Sequence, residues 1–395
     1  MDTIDVVNRM DCTGCGSCIS ACPVKCINME YNPEGFLMPQ IDHANCIKCG
    51  RCLLPCPIMY KPQTKSIIEL YGGYHLNRKI VLGSSSGGAF YRLSKQMIDS
   101  GGAVCAAAIF PDSGHVCHRF AYTDEELKMV MKSKYVQSDV GDCFIEIKNL
   151  LEHGKGVLFC GTPCQIAGIK AFLKRDYDLF IAVEFICHGV PSPIIWEEYL
   201  GSIQQAEGLH DIKEINFRDK KNGWHNFGLS IKYGENGGNE RFRPVRQDIY
   251  YNGFLENLFL RQCCYQCKFK GMESAADISL ADFWNCENRG ISEKLNGHQW
   301  EGVSLIIVFS DKGINYLKSC REGFYLEKIE DIKAVTSNIA QIQPAKYNKK
   351  RHLFYKYRKR HGTYKALQKY ATYTFGKKLK NHIIWKYWKI RKRYS

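Results

Sequence analysis

The sequence predicts an α+β or α/β protein in three parts: a small cysteine-rich module, a mixed α/β domain and a basic tail. Three observations predict this. Eight cysteines fall within residues 12–56 in two copies of one pattern. Short apolar runs alternate with helix-period stretches from Ile80 to about Ile332, as in a largely covered sheet. Residues 346–395 hold 18 Lys and Arg and no acidic residue. The boundaries that follow are 1–62 for the cysteine module, 63–78 for a linker, 79–343 for the α/β domain and 344–395 for the tail.

Composition narrows the class. The chain has 395 residues, 45% of them hydrophobic and 24% charged, enough for a sizeable core and unlike a disordered protein. No apolar run approaches the roughly 18 residues of a membrane span. The first residues carry neither a basic nor an apolar signal region, so a cytoplasmic location is expected. There the chain's 20 cysteines would stay reduced, which points to metal or redox work rather than disulfides. The net charge of +15 is concentrated in the tail, because 37 basic residues face 40 acidic ones before Lys346.

Cys12, Cys15, Cys18 and Cys22 follow C-x-x-C-x-x-C-x-x-x-C-P, and Cys46, Cys49, Cys52 and Cys56 repeat it 34 residues later. This is the two-cluster pattern of bacterial ferredoxins. Three thiolates on one tight loop wrap one cubane, and the fourth reaches the neighbouring cubane. Cys12, Cys15, Cys18 and Cys56 are therefore assigned to one 4Fe–4S cluster, and Cys22, Cys46, Cys49 and Cys52 to the other. Gly14, Gly16 and Gly50 let the backbone approach sulfide, and Pro23 and Pro57 end the loops. Zinc knuckles would use C-x-x-C pairs but give no reason for the tripled spacing. Cys26 lies outside the pattern and is expected to be a buried thiol.

In the middle of the chain, Ile80–Leu82 is expected as a strand leading through a Ser/Gly turn into a helix over Ala89–Ile98. Strands follow at Ala103–Phe110 and Val116–Ala121, and helices from Asp124 and over Phe144–Leu151. Gly156–Cys160 is a buried strand, Ile166–Lys174 a helix and Leu179–Ile186 another buried strand. Later strands are expected at Ile212–Phe217, Phe227–Tyr233 and Val303–Phe309. Ser84–Gly88 at a helix N-terminus has the amides, hydroxyls and dipole of an anion cradle, although such turns also serve as plain caps. Gly161–Gln165 ends a strand where α/β ligands bind. Cys164, Cys187, Cys264 and Cys267 lie in polar or Gly-flanked loops and suit a third metal site, with Cys160 and Cys263 as adjacent alternatives. Cys105, Cys117, Cys143, Cys286 and Cys320 are isolated and expected to be structural.

Six segments in order resemble the beta-subunit family of coenzyme F-420 hydrogenases and dehydrogenases. They are Ser85–Phe90, Ser133–Ser138, Gly161–Gly168, Ile186–Ser192, Phe217–Lys220 and Ala276–Trp284. The resemblance spans roughly residues 8–320 and implies a flavoprotein. Carried over, it places FAD against Ser85, Ser86, Gly87, Gly88, Lys134, Gln137, Ser138, Thr162 and Gln165, and a third 4Fe–4S cluster on Cys164, Cys187, Cys264 and Cys267. The physical reading agrees, since two phosphates want amides, hydroxyls and a cation. Asn285 stands where the family pattern has Gly, and Cys263–Cys264 is doubled.

The expected function is an iron–sulfur flavoprotein oxidoreductase. Clusters carry single electrons and a flavin converts them into the pair that organic reductions need. Reduced ferredoxin or F-420 is the expected electron partner, with an unidentified organic substrate; the direction of flow is open. His188, Lys134, Asp219 and Asp282 are candidate proton donors, against plainer roles for His188 as a hydrogen-bonded neighbour of the cysteine loop and Asp282 as a cap. Trp224 and Trp284 are read as core. The competing reading is a non-catalytic electron-transfer subunit of a larger complex. The tail interleaves its cations with 12 aromatics, which suits an anionic membrane surface or a lipid-linked substrate, at the inner face of the membrane. A packed or solubilising basic helix competes with that reading, and nucleic acid follows at a distance.

Overall fold

The cysteine module is built on one hairpin. Strands β1 (Ile27–Tyr31) and β2 (Leu37–Ile41) pair antiparallel with Ile27 opposite Ile41. Asn32 closes the turn, its side-chain oxygen accepting from the Glu34 and Phe36 amides. Ile4, Val7, Ile27 and Ile41 pack between the cysteine loops and give the module its own small core. The computed structural model describes residues 2–284, 286, 291–298 and 300–372.

The α/β domain has a central sheet, a side sheet and a separate two-stranded pair. In chain order its strands are β3 (Lys65–Ser66), β4 (Glu69–His75), β5 (Ala103–Ile109), β6 (Val116–Ala121), β7 (Val157–Gly161), β8 (Phe180–Phe185), β9 (Ile212–Asp219), β10 (Gly228–Tyr233), β11 (Asn239–Pro244), β12 (Glu273–Ser274), β13 (Ile278–Asp282), β14 (Ser304–Val308) and β15 (Phe324–Lys328). The central sheet has eight strands in the order β15-β4-β14-β13-β8-β7-β5-β6. Its middle, β13-β8-β7-β5, is parallel, and antiparallel strands flank it on both sides. β7 and β8 are apolar for most of their length because helices cover both faces. The second sheet, β11-β10-β9, packs on the helix Pro193–Glu207 through an aromatic core around Trp196, Tyr199 and Tyr250.

Three sequence expectations change. Residues 63–78 are not a linker: β4 lies inside the central sheet, between β14 and β15. Ile80–Leu82 belongs to a short helix, Arg78–Gly83, because Asn77 caps it by accepting from the Lys79 amide. An apolar triplet carries no periodicity of its own, so the cap decides. The tail does not begin as a separate unit at 344. The helices Arg351–His361 and Thr363–Ala371 bury Phe354, Ala366 and Leu367 in the aromatic core of the second sheet. The aromatic-basic stretch from Ile383 to Arg393 and Asn285 lie outside the described residues. Among the described residues no helix is long and apolar enough to cross a membrane.

Candidate redox centre

The cysteine quartets expected from spacing converge as two rings. Cys12, Cys15, Cys18 and Cys56 line one cavity, and Cys22, Cys46, Cys49 and Cys52 line another. Each loop thus supplies three thiols to its own ring and one to the other. Gly14, Gly16 and Gly50 take positive φ, at +68°, +83° and +70°, where a side chain would be strained. Burial pushes the Cys18 thiol well up, and its neighbours Cys15, Cys12 and Cys56 push it further. Thiolates crowded this way need a cationic centre among them, which an iron–sulfur cluster supplies. Cys26 is buried beside the second ring, 3.5 Å from Cys22 sulfur. No three His, Cys, Asp or Glu side chains among the described residues meet at single-ion distance; the quartets are defined by the cavities they line.

Cys164, Cys187, Cys264 and Cys267 also line a single cavity, and Cys263 lines it with them. Three segments bring them there. Cys164 opens the helix Pro163–Leu173 just after β7, Cys187 follows β8, Cys264 lies within a short turn at Gln262–Gln266 and Cys267 ends it. The first two positions are carboxyl ends of parallel strands, where this sheet type presents ligands. Burial raises the Cys164 thiol well above its usual range, opposed by the Thr162 hydroxyl and reinforced by Cys187, Cys267 and Cys15. His188 is held by Asn257, its Nε2 2.5 Å from the Asn257 side-chain oxygen. The Lys270 amine donates to the Cys187 carbonyl.

The third quartet abuts the first. Thr13 and Ile58 line both cavities. Gly168 makes the approach close: a Cβ there would collide with Ser17 Oγ and lie 3.0 Å from Cys15 Sγ. Arg261 sits between the two quartets, 2% exposed, with Nε donating to the Cys12 carbonyl at 2.8 Å and Nη1 to the Leu37 carbonyl.

The residues expected to hold FAD divide into two groups. Ser85 and Ser86 lie in the turn before the helix Ala89–Asp99, and the turn is already knitted. Ser133 donates to Ser85 Oγ from its amide at 2.9 Å, Ser86 Oγ donates to the Val303 carbonyl, and the Gly87 amide donates to Ser304 Oγ. A Cβ on Gly87 would collide with the Gly73 carbonyl oxygen. Gly88 caps the helix at φ +91°. The Lys134 amine donates to the Met129 and Met131 carbonyls, and burial lowers its pKa to about 7. The second group is a buried chain. Gln165 donates to Ser138 Oγ at 3.1 Å and accepts from Thr162, and Ser138 meets His118. Gln137 turns away to the cysteine module, its oxygen accepting from the Leu37 amide and Arg261 Nη1.

Asp282 sits at the carboxyl end of β13 and pairs with Arg218 Nη1; its other oxygen accepts from Trp224 Nε1 at 3.2 Å. The Arg218 guanidinium lies over Phe227, 4.3 Å from the ring centre, and beside Trp284. Trp224 and Trp284 stack at 4.3 Å, so both are packing partners of this ion pair. Asp219 accepts from the Lys221 amide at the end of β9. Arg218, Arg261 and Glu184 are the charged residues that sequence reasoning passes over. Glu184, a carboxylate inside an otherwise apolar strand, and Arg218, inside a quoted motif, carry a readable signal; Arg261 carries none.

Comparison with known proteins gives two family matches. Residues 154–333 match the family described as the C terminus of the coenzyme F-420 hydrogenase/dehydrogenase beta subunit, and residues 11–59 match the 4Fe–4S dicluster domain. The first match contains all four cysteines of the third quartet, and the second all eight of the N-terminal rings; Ser85–Ser138 lies outside both. No curated protein matches. Among solved structures, a chain of the F-420-reducing NiFe hydrogenase complex from Methanosarcina barkeri, in a xenon-derivatised form, is similar at 16% identity. That likeness covers 71% of this chain and 91% of the other, with a TM-score of 0.46.

Proposed function

Residues 154–333 belong to the coenzyme F-420 hydrogenase/dehydrogenase beta-subunit family, behind a 4Fe–4S dicluster segment, and from that premise we propose an iron–sulfur flavoprotein oxidoreductase. Electrons would pass between the two N-terminal clusters, a third cluster on Cys164, Cys187, Cys264 and Cys267, and FAD, and so reduce or oxidise an organic substrate or F-420. One observation carries the reading: the third cysteine quartet shares Thr13 and Ile58 with the Cys12 ring. Two redox centres in contact across a domain boundary form a path for single electrons.

The chain's residues divide the work. The Cys22 ring carries the exposed side chains of Val24 and Ile47 and is the side on which a redox partner such as reduced ferredoxin would dock. Bound FAD would supply the conversion between single electrons and an electron pair. The turn at Ser85–Gly88, the segment Ser133–Ser138 and the Thr162–Gln165 corner are the groups that would hold it. The first-turn amides of the helix Ala89–Asp99 lack intrahelical acceptors and favour an anion. His188, Lys134 and Asp282 divide by their contacts. Lys134, its pKa lowered by burial to about 7, gains and loses its proton near neutrality, His188 is oriented by Asn257, and Asp282 serves Arg218.

Iron, sulfide and flavin released from anaerobically purified full-length protein test the proposal. Roughly 12 iron atoms and about one FAD per chain are expected for three cubanes and a flavin. Roughly 8 iron atoms and no flavin would remove it in favour of a two-cluster electron carrier. The basic helices over 351–371 expose Lys356, Lys359 and Lys365 on one side while burying the other. We read that surface with the rest of the tail as a site for anionic lipid headgroups. Vesicle flotation of the full-length protein against a variant that lacks residues 373–395 and carries Lys356→Glu, Lys359→Glu and Lys365→Glu tests it, and equal recovery in both would exclude it.

A further inference from the structure

We propose that Arg218 is the receptor for an oxyanion, a phosphate or carboxylate, bound on the edge of the guanidinium formed by Nε and Nη2. The proposal deepens the flavin reading by naming the group that anchors the anionic ligand of the same site. Its starting point is an unmet demand. Arg218 is 6% exposed, yet Nε and Nη2 have no hydrogen-bond partner. Among the described residues it is the one side chain with two such donors on one edge; Gln137, Arg241 and Arg351 each leave a single nitrogen. Buried donors are nearly always satisfied, and donors of a charged group are the costliest to strand.

The rest of the guanidinium is fixed. Nη1 is committed to Asp282, the Asp282 carboxylate is braced by Trp224, and the flat face rests on Phe227. What this leaves free is the side-on fork, whose two parallel N–H groups match the two oxygens of a carboxylate or phosphate. A fork immobilised by an acid and aromatic rings is preorganised for that ligand.

Its location agrees. Asp282 ends β13, at the carboxyl edge of the parallel strands where α/β ligands bind. The Tyr135 hydroxyl adjoins Arg218 and Ser133 without satisfying the fork, and Ser133 bonds Ser85 in the turn before the helix Ala89–Asp99. The other buried cations nearby are already occupied. Lys220 spends its amine on the Val81, Ser86 and Glu301 carbonyls, and Lys134 spends two of its three donors on carbonyls. Arg218 is the cation with a vacant bidentate edge.

The oxyanion has two sources, the phosphates of FAD or an acidic group of the substrate, and one experiment separates them. Full-length wild type, Arg218→Gln and Arg218→Lys are purified anaerobically. FAD affinity is read from flavin fluorescence, and affinity for inorganic phosphate and for F-420 from tryptophan emission of the Trp224–Trp284 pair. At least tenfold weaker FAD binding in the variants assigns the fork to the flavin. Unchanged FAD binding with at least tenfold weaker phosphate or F-420 binding assigns it to substrate. Arg218→Lys keeps the charge and loses the fork, so it reports the geometry even if the glutamine variant fails to fold. Wild-type protein that holds no flavin but binds phosphate through Arg218 removes the flavin reading and leaves the oxyanion site standing. Variants that match wild type for all three ligands overturn it, and so does a wild type that binds none.

Discussion

Arg261 is anchored on Cys12: its Nε donates to the Cys12 carbonyl at 2.8 Å, and its Nη2 lies 3.8 Å from the Cys12 sulfur. The same guanidinium bonds Leu37 and Gln137, so it is held by the cysteine module and by the α/β domain together. A reduced cluster carries one more negative charge than an oxidised one. A buried cation beside a ligand sulfur therefore favours reduction. Arg261→Gln should lower the potential of the Cys12 cluster by about 60–120 mV, the equivalent of losing roughly 1.5–3 kcal/mol of charge-assisted hydrogen bonding in a one-electron couple. Potentiometric titration followed by electron paramagnetic resonance measures this. An unchanged or raised potential would contradict the placement.

The pair Glu34–Arg351 ties the same two parts from the opposite end of the chain. Arg351 is buried and pairs in a bidentate fashion with Glu34, at 2.6 and 2.5 Å, while also donating to the Leu260 carbonyl. Ser192 reinforces the docking by donating to the Glu34 and Gly35 carbonyls. Glu34→Gln would leave a buried guanidinium short of its counter-charge. The expected loss is about 2 kcal/mol, below the roughly 3–5 kcal/mol of a fully buried pair because Glu34 remains partly solvated. Urea unfolding should show it, and Glu34→Gln with Arg351→Met should recover part of it. A single variant as stable as wild type would show that the pair is not coupling the segments.

These two arginines mark what the sequence can and cannot say. The eight N-terminal cysteines are readable because ligand geometry imposes a spacing, and β7 and β8 because burial on both faces imposes apolar runs. Arg261 and Arg351 have no such signature, since each ties the two parts together through a partner more than 200 residues away, Cys12 for one and Glu34 for the other. β4 reads as a linker because Leu70–Tyr74 holds two glycines, which weaken strand propensity. The reason for them is packing: a Cβ at Gly73 would strike Phe324 at 2.6 Å, and one at Gly72 would strike Leu295 at the same distance. The tail misleads in the opposite direction. Its cations and aromatics favour a membrane-facing segment over the packed helix that competes with it, whereas Phe354, Ala366 and Leu367 are fully buried on the body.

Glu184 gives the protein a pH signature. Burial at the end of β8 raises its pKa to about 7, against the opposing influence of Ser274, Ser279 and Lys270. The folded state then holds a proton that the unfolded chain, near 4.5, releases. The stability from that proton is fully present below about pH 4.5 and is lost as pH rises through about 7. Its whole range is ~3 kcal/mol, from a shift of roughly 2.5 pH units at 1.36 kcal/mol each. Glu184→Gln removes the titrating group, so its stability relative to wild type should grow between pH 5.5 and 7 and level off above. Urea unfolding across pH 5.5–8.5 checks this, and a difference that does not vary with pH would refute it.

Two helix glycines separate packing from propensity. Gly201 lies in the helix Pro193–Glu207 with open space where a Cβ would go, so Gly201→Ala should stabilise the protein by about 0.5–1 kcal/mol through backbone entropy alone. Gly168 lies in the helix Pro163–Leu173 and gains the same intrinsic preference. There the new methyl would press on Ser17 Oγ and Cys15 Sγ, the point where the third cysteine quartet approaches the first ring. The clash involves a ligand loop whose thiol cannot move without distorting its ring, so Gly168→Ala should be destabilising by about 1–3 kcal/mol, as overpacked cores are. Its distinguishing readout is spectroscopic: the resonance of the Cys12–Cys15–Cys18–Cys56 cluster should broaden or shift, while that of the Cys22–Cys46–Cys49–Cys52 cluster stays as in wild type. Equal perturbation of both clusters, or of neither, would mean that the helix does not bear on Cys15, and the contact that carries the proposed electron path would be lost with it.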